Sequence, residues 1–269
     1  MKIRFTKMHG AGNDYIYVDA TQYPIPDPGA AAIALSRQHF GIGSDGLVLI
    51  SQPDDSVADF EMRLFNADGS EAMMCGNASR CVGKLVYETG MTRKRQLRLA
   101  TRSGVKLLTI TVDAHDKVAM VAVDLLKPIL HDDSLFLPKG EPLPHGQFVS
   151  MGNPLYVIFV DNLDAVDVAR EGARLERHSR FPQRCNIVFA QCNRGTLRAR
   201  VWERGSGITL ACGTGACAAV VVAAQNGLVP RQCDVIMDGG TLRVHWRESD
   251  DHLLLSGPAT IVFTGEVEL

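Results

Sequence analysis

The sequence carries one pattern twice, and a duplicated chain of this kind is constrained to fold as two similar halves. Cys75-Gly76-Asn77 opens a largely apolar stretch closed by Gly90, and Cys212-Gly213-Thr214 opens another closed by Gly227. The two cysteines stand 137 positions apart, and other landmarks recur at nearly that interval: Asn13 with Asn153 at 140, Phe40 with Phe181 and Asp45 with Asn186 at 141, Asn66 with Glu203 at 137, Gly104 with Gly240 at 136. Such spacing predicts two pseudo-symmetric halves, each bringing one thiol to a shared cleft. Two like acid/base groups on opposite sides of one substrate is the arrangement that inversion of a stereocentre requires.

The 269 residues allow two halves of about 130 residues, each large enough to bury its own core. A formal net charge of −2 offers no basic excess to follow a phosphate backbone, which argues against a nucleic-acid partner. The start, Met1-Lys2-Ile3-Arg4-Phe5-Thr6-Lys7, lacks the apolar run of a secretory signal. No stretch reaches the roughly 18 apolar residues of a membrane span. With seven cysteines, an odd number in a chain too long to depend on staples, a reducing compartment is expected. The reading is a cytoplasmic protein acting on a small molecule, with no membrane partner.

Short β-branched and aromatic runs predict strands at 14–19, 46–50, 60–65, 105–112 and 118–123 in the first half, and at 156–161, 187–190, 197–202, 241–246 and 253–255 in the second. Helices are predicted at 30–38, at 166–176 and after each Cys-Gly pair. Residues 215–224 are apolar all round, which predicts a helix enclosed by protein. The expected fold is α/β (α+β): two halves, each a mostly antiparallel strand barrel around a buried helix. The boundaries are 1–117 plus 261–269 for the half carrying Cys75 and 118–260 for the half carrying Cys212. The proline-rich segment 127–145 reads as connecting structure.

A thiol just before a helix, followed by glycine, meets free N–H groups and the positive end of the helix dipole, which favour the thiolate. A lone cysteine is more often a small buried hydrophobe, the reading kept for Cys81, Cys217, Cys185, Cys192 and Cys233. Cys75 and Cys212, matched across the repeat, are read as acid/base groups. The spacings Cys75/Cys81 and Cys212/Cys217 do not suit a structural zinc site. Asn13, Asn66, Asn77, Asn153 and Asn186 can each donate and accept without adding charge, so their recurrence beside glycines suggests a polar pocket. Glu203-Arg204 replaces Asn66-Ala67 in the second copy and adds an anion and a cation on one side only, which suits a zwitterionic substrate. Gly41-Ile42-Gly43-Ser44-Asp45-Gly46 and Gly205-Ser206-Gly207 are read as turns rather than phosphate loops. No motif suggests a pyridoxal-phosphate lysine, a nicotinamide site or a flavin site.

Taken in order, Lys7-Met8-His9-Gly10-Ala11-Gly12-Asn13-Asp14, Phe65-Asn66-Ala67-Asp68-Gly69-Ser70-Glu71, Cys75-Gly76-Asn77, Met151-Gly152-Asn153-Pro154, Glu203-Arg204-Gly205 and Ala211-Cys212-Gly213-Thr214-Gly215-Ala216-Cys217 resemble the diaminopimelate epimerases, cofactor-independent enzymes of lysine biosynthesis. The resemblance implies two barrels with central helices, a last strand at about 261–269 that returns to the first half, and a homodimer. It implies Cys75 and Cys212 as the two bases and Gly76-Asn77 with Gly213-Thr214 as the carboxylate cradle. Asn13, Asn66, Asn153, Asn186, Glu203 and Arg204 would hold the rest of diaminopimelate. The chain departs from the family pattern at Gly46, where glutamine is frequent, at Leu155 for histidine, at Asn77-Ala78-Ser79 for Asn-Gly-Ala, and at Phe263 for tyrosine. Two other readings stay open: a proline or hydroxyproline racemase of the same fold, and a non-catalytic thiol or metal-binding protein.

Overall fold

Runs of alternating or continuous apolar residues form strands along the chain, and among the described residues four α-helices lie between them. The computed structural model describes residues 1–53 and 56–269. They divide into two units, Met1–Val123 with Ser256–Leu269, and Asp124–Leu255.

In the first unit β1 (Lys2–Gly10) pairs antiparallel with β2 (Asn13–Asp19). Helix α1 (Pro28–Ser36), capped by the Asp27 carboxylate on the Ala30 N–H, carries the chain over to β3 (Gly46–Ser51), which lies parallel to β2. β4 (Phe60–Asn66) returns antiparallel to β3 and turns into the short β5 (Glu71–Ala72). A second crossover, α2 (Gly76–Glu88), leads to β6 (Gln96–Ala100), parallel to β4, followed by β7 (Lys106–Val112) and β8 (Val118–Asp124) in an antiparallel meander.

The second unit repeats this order of pairings. β9 (Gln147–Ser150) and β10 (Pro154–Phe159) are antiparallel, and α3 (Val168–Glu176) crosses to β11 (Asn186–Asn193), parallel to β10. β12 (Thr196–Glu203) and the short β13 (Gly207–Thr209) follow antiparallel, and α4 (Gly213–Gln225) crosses to β14 (Gln232–Met237), parallel to β12. β15 (Gly240–Trp246) pairs with β14, and β16 (Leu253–Gly257) follows. The chain then rejoins the first unit through β17 (Thr260–Glu268), antiparallel to β1. The register agrees with the duplication: Ile16 stands opposite Leu47, and Tyr156 opposite Ile187.

Each unit has one helix against each face of its strands. α2 packs on β1, β2 and β7, and α4 on strands β9 to β12, β14 and β15. On the other face α1 joins Ile3, Phe5, Ile16, Val18, Leu47, Leu49 and Phe65 in one apolar cluster. α3 does the same with Phe148, Tyr156, Ile158, Ile187 and Phe189. The all-apolar α4 is enclosed as its composition predicts: Gly215 through Ala223 are buried. At about 25 cal/mol per Å² of apolar surface removed from water, helices of this kind owe their stability to burial rather than to propensity.

The helix expected at 166–176 is preceded by a 3-10 turn, Leu163–Ala165, where the Asn162 side chain caps the Asp164 N–H. Composition does not predict β1, β6, β9 and β14: lysines and arginine interrupt β1, β6 has no β-branched residue, and β9 and β14 are short runs of mixed composition that open on glutamine. Between β8 and β9, residues 127–145 form no named strand or helix; they include the isolated bridge of Ile129 with Ser150 and the hydrogen bonds of Arg180 to the Leu137 and Pro138 carbonyls. Among the described residues no helix is long and apolar enough to cross a membrane.

Candidate active site

Both repeated cysteines are N-caps. Cys75 precedes α2 with φ −137° and ψ 122°, and Cys212 precedes α4 with φ −123° and ψ 112°. This extended geometry, set by the β5–α2 and β13–α4 turns, places each side chain at the end of a helix whose first N–H groups have no intrahelical acceptor. Beyond it the two half-sites differ.

In the first unit Cys75 is half-buried and its Sγ donates to Asn13 Oδ1 at 3.4 Å. Asn77, buried in the first turn of α2, donates to the same oxygen at 3.4 Å and accepts from the fully buried Arg80 at 2.8 Å. The other end of the Asn13 amide, Nδ2, donates to Asp45 Oδ2 at 2.7 Å. Asp45 keeps solvent contact, yet packing around its carboxylate raises its pKa, more than the Asp14 N–H that it accepts lowers it. Burial also drives the phenols of Tyr15 and Tyr17 well above their ordinary range, with the Cys75 thiol adding to both. Asn66 ends β4 and is occupied locally, donating to Ser70 Oγ at 3.0 Å.

In the second unit Cys212 is buried, and its Sγ accepts from the Gly215 N–H at 3.4 Å and lies 3.5 Å from Thr214 Oγ1. Asn153 donates to that hydroxyl at 3.3 Å. Glu203 accepts from Thr209 Oγ1 at 2.6 Å. A helix N-terminus by itself predicts a lowered thiol pKa. At Cys212 the opposite holds: burial pushes the thiol well above its usual range and the Glu203 carboxylate adds to this, outweighing Thr214 and the Gly215 N–H. Asn186 is buried and uses both ends of its amide on backbone, donating to the Pro154 carbonyl at 2.7 Å and accepting from the Arg204 N–H at 2.9 Å. It therefore braces the Glu203-Arg204 turn. The exposed Arg204 guanidinium donates to the Gln183 carbonyl at 2.8 Å.

Two residues outside the sequence-derived set hold this scaffold. Asp45 anchors Asn13, and the buried Glu176 accepts from Trp202 Nε1 at 2.8 Å and the Gly205 N–H at 3.2 Å, with Arg184 at 3.5 Å. The Asp45 and Asn186 match across the repeat was the available signal for the first; nothing in the sequence marked the second. Cys81 and Cys217 are buried within their helices, where burial lifts Cys81 to about 11. Cys185 and Cys233 are buried and Cys192 half-buried. Among the described residues no group of three His, Cys, Asp or Glu side chains is placed to hold a metal ion.

The departures from the family pattern have physical settings. Gly46 lies so close to β4 that a Cβ there would meet the Phe65 carbonyl at 2.1 Å. Leu155 is fully buried in β10 beside Asn186. Phe263 is half-exposed on β17, edge-on to Phe5 at 5.8 Å.

The same fold is found in a phenazine biosynthesis protein of the PhzF family from Bacillus anthracis, with a TM-score of 0.73 at 16% identity over 100% of both chains. It is found again in a hydroxyproline epimerase from Agrobacterium vitis, with a TM-score of 0.72 at 14% identity over 99% of this chain and 91% of that one. These define the class as the duplicated strand-and-helix fold of the racemase and PhzF type. The diaminopimelate epimerase family model matches residues 5–126 and 147–262. The chain is 55% identical to the diaminopimelate epimerase of Bacteroides thetaiotaomicron over 99% of its own length and 98% of the relative's, and 45% identical to that of Methanococcus maripaludis strain C6 over 99% and 100%. The chain belongs to the diaminopimelate epimerase family.

Proposed function

We propose that this protein is an isomerase that interconverts LL- and meso-diaminopimelate without a cofactor, using Cys75 and Cys212 as paired base and acid. The observation that carries the reading is the placement of both repeated cysteines at helix N-caps, within a chain of this family. One thiolate removes the α-proton, the C–H electron pair moves into the carboxylate, and the other thiol gives its proton to the opposite face. The first thiol is left protonated and the second ionised, so protons and charge balance and the centre is inverted.

The N–H groups of Gly76-Asn77 and Gly213-Thr214 suit the carboxylate, whose charge grows as the proton leaves. Fixed dipoles that need no reorganisation contribute most to such a step. Asn13, Asn66, Asn153, Asn186, Glu203 and Arg204 are assigned to the rest of the substrate, with Asn186 acting through the Arg204 turn. A cationic ammonium entering beside Glu203 would offset the carboxylate charge that opposes ionisation of Cys212. The protein is assigned to the cytoplasm and to a homodimer, in line with its thiol content and with the half-exposed β17 face around Phe263.

The test is α-proton exchange into LL-diaminopimelate in deuterated water under reducing conditions, comparing wild type with Cys75→Ser and Cys212→Ser. Deuterium uptake with inversion, lost or greatly slowed in both variants, supports the two-thiol reading. No exchange in wild type removes it and favours the thiol-binding alternative. Arg204→Ala separates the remaining alternative: it should reduce turnover of diaminopimelate far more than that of proline, and an equal loss would favour a proline-type racemase.

A further inference from the structure

We propose that Asp45 is a positioning residue for the Cys75 thiol, holding the Asn13 amide in the one orientation that turns its carbonyl oxygen toward Sγ. The inference rests on the two-thiol reading and deepens it.

An asparagine amide fits its space either way round, and its partners decide which end faces where. An ionised carboxylate only accepts, so Asp45 Oδ2, 2.7 Å away, requires Nδ2 of Asn13 on its side. A guanidinium only donates, so Arg80 at 2.8 Å requires Oδ1 of Asn77, which turns Nδ2 of Asn77 toward Oδ1 of Asn13 at 3.4 Å. Two amides thus run head to tail between a buried cation and a carboxylate. Cys75 Sγ meets the acceptor end of this chain, at 3.4 Å.

Asp45 is itself fixed on two sides. Its N–H donates to the Asp14 carbonyl at 2.9 Å, its carbonyl accepts from the Ala67 N–H at 2.9 Å, and Oδ2 accepts from the Asp14 N–H at 3.0 Å. Behind it the buried Lys7 pairs with Asp14 and donates to the Gly43 carbonyl. The second unit lacks this device. The repeat counterpart of Asp45 is Asn186, which bonds Pro154 and Arg204 instead, while Asn153 directs Nδ2 to Thr214. Cys75 is therefore held by an acceptor, whereas Cys212 is met by the Gly215 N–H donor. The carboxylate assigns the two thiols different proton-holding environments. Titratable groups near Cys75 include the Tyr15 and Tyr17 phenols of β2 and the Cys81 thiol of α2, while Asp14 and Lys7 lie beside Asp45.

The test compares wild type, Asp45→Asn and Asp45→Leu by two readouts: kcat and KM with diaminopimelate, and the pH profile of iodoacetamide alkylation at Cys75 and Cys212, mapped by mass. Asparagine keeps an acceptor oxygen for Asn13 and should hold kcat/KM within a few-fold. Leucine removes it; misplacing a group by about 1 Å can cost about 100-fold, the loss in kcat/KM expected here. The Cys75 alkylation profile should move to lower pH in Asp45→Leu, because the thiol loses its fixed acceptor, with that of Cys212 unmoved. Should Asp45→Leu not fold, Asp45→Ser, too short to reach Asn13, takes its place. An unchanged Cys75 profile with the acceptor removed overturns the proposal, and so does an Asp45→Asn loss as large as that of leucine. If wild type exchanges no α-proton, the two-thiol function fails while the alkylation profiles still decide the role of Asp45.

Discussion

Glu203 stands beside the buried Cys212 thiol: burial pushes the thiol above its usual pKa, and the Glu203 carboxylate adds to this by opposing the thiolate. Glu203 is kept there by the Thr209 hydroxyl at 2.6 Å. Replacing Glu203 with glutamine removes the charge and nearly preserves the shape. The Cys212 pKa should fall, and its alkylation profile should shift to lower pH with that of Cys75 little changed. An unmoved Cys212 profile would show that burial alone sets its ionisation.

Glu176 holds the turn that presents Glu203 and Arg204. Glu176→Ala leaves the Trp202 indole N–H and the Gly205 N–H without their acceptor at a part-buried site; an abandoned buried donor costs about 1–3 kcal/mol. Chemical denaturation should register a loss of about 1–2 kcal/mol, most of it from the Trp202 donor, since water can reach the Gly205 N–H. Because the Arg204 turn loosens as well, KM for diaminopimelate should rise more than kcat falls.

Gly46 sits where the backbone of β3 closes on β4, and any Cβ would collide with the Phe65 carbonyl. Forcing extra atoms into such a site costs about 1–3 kcal/mol, so Gly46→Ala should lower the unfolding free energy by about 2 kcal/mol. A neutral Gly46→Ala would mean that β3 can shift freely. Glutamine at this position should be tolerated no better than alanine.

Acid should loosen β17 from β1. Glu266 is ion-paired with Lys2 at 2.5 Å and Arg4 at 2.9 Å, and their hydrogen bonds lower its carboxyl pKa from 4.5 to about 2. A carboxyl depressed in the folded state contributes stability above its unfolded pKa, and that contribution is lost as pH falls through the folded value. The protection of the β17 amides, measured relative to their intrinsic exchange rates, should therefore fall between about pH 4.5 and 2. Glu266→Gln should weaken that dependence, and added salt should reduce the effect of the pair because it is exposed.

The duplication, the two N-cap cysteines and the enclosed helix α4 could be read from the residues alone, because each depends on local information. Spacing repeats when a unit repeats, a glycine after a cysteine marks a helix start, and an all-apolar run has to be covered. Strands such as β1 and β14 were not legible, since their pairing depends on neighbours distant in sequence and not on their own mixed composition. Only the tertiary structure decided what each polar side chain meets. Asn186 has the same chemistry as Asn13, but its amide is used on backbone while Asn13 reaches a thiol and a carboxylate. Cys212 has the same helix position as Cys75, but burial and Glu203 raise its pKa where the dipole alone would lower it. Hydrogen-bond direction and desolvation are set by atoms converging from separate elements, and that convergence is decided only when the strands and helices pack.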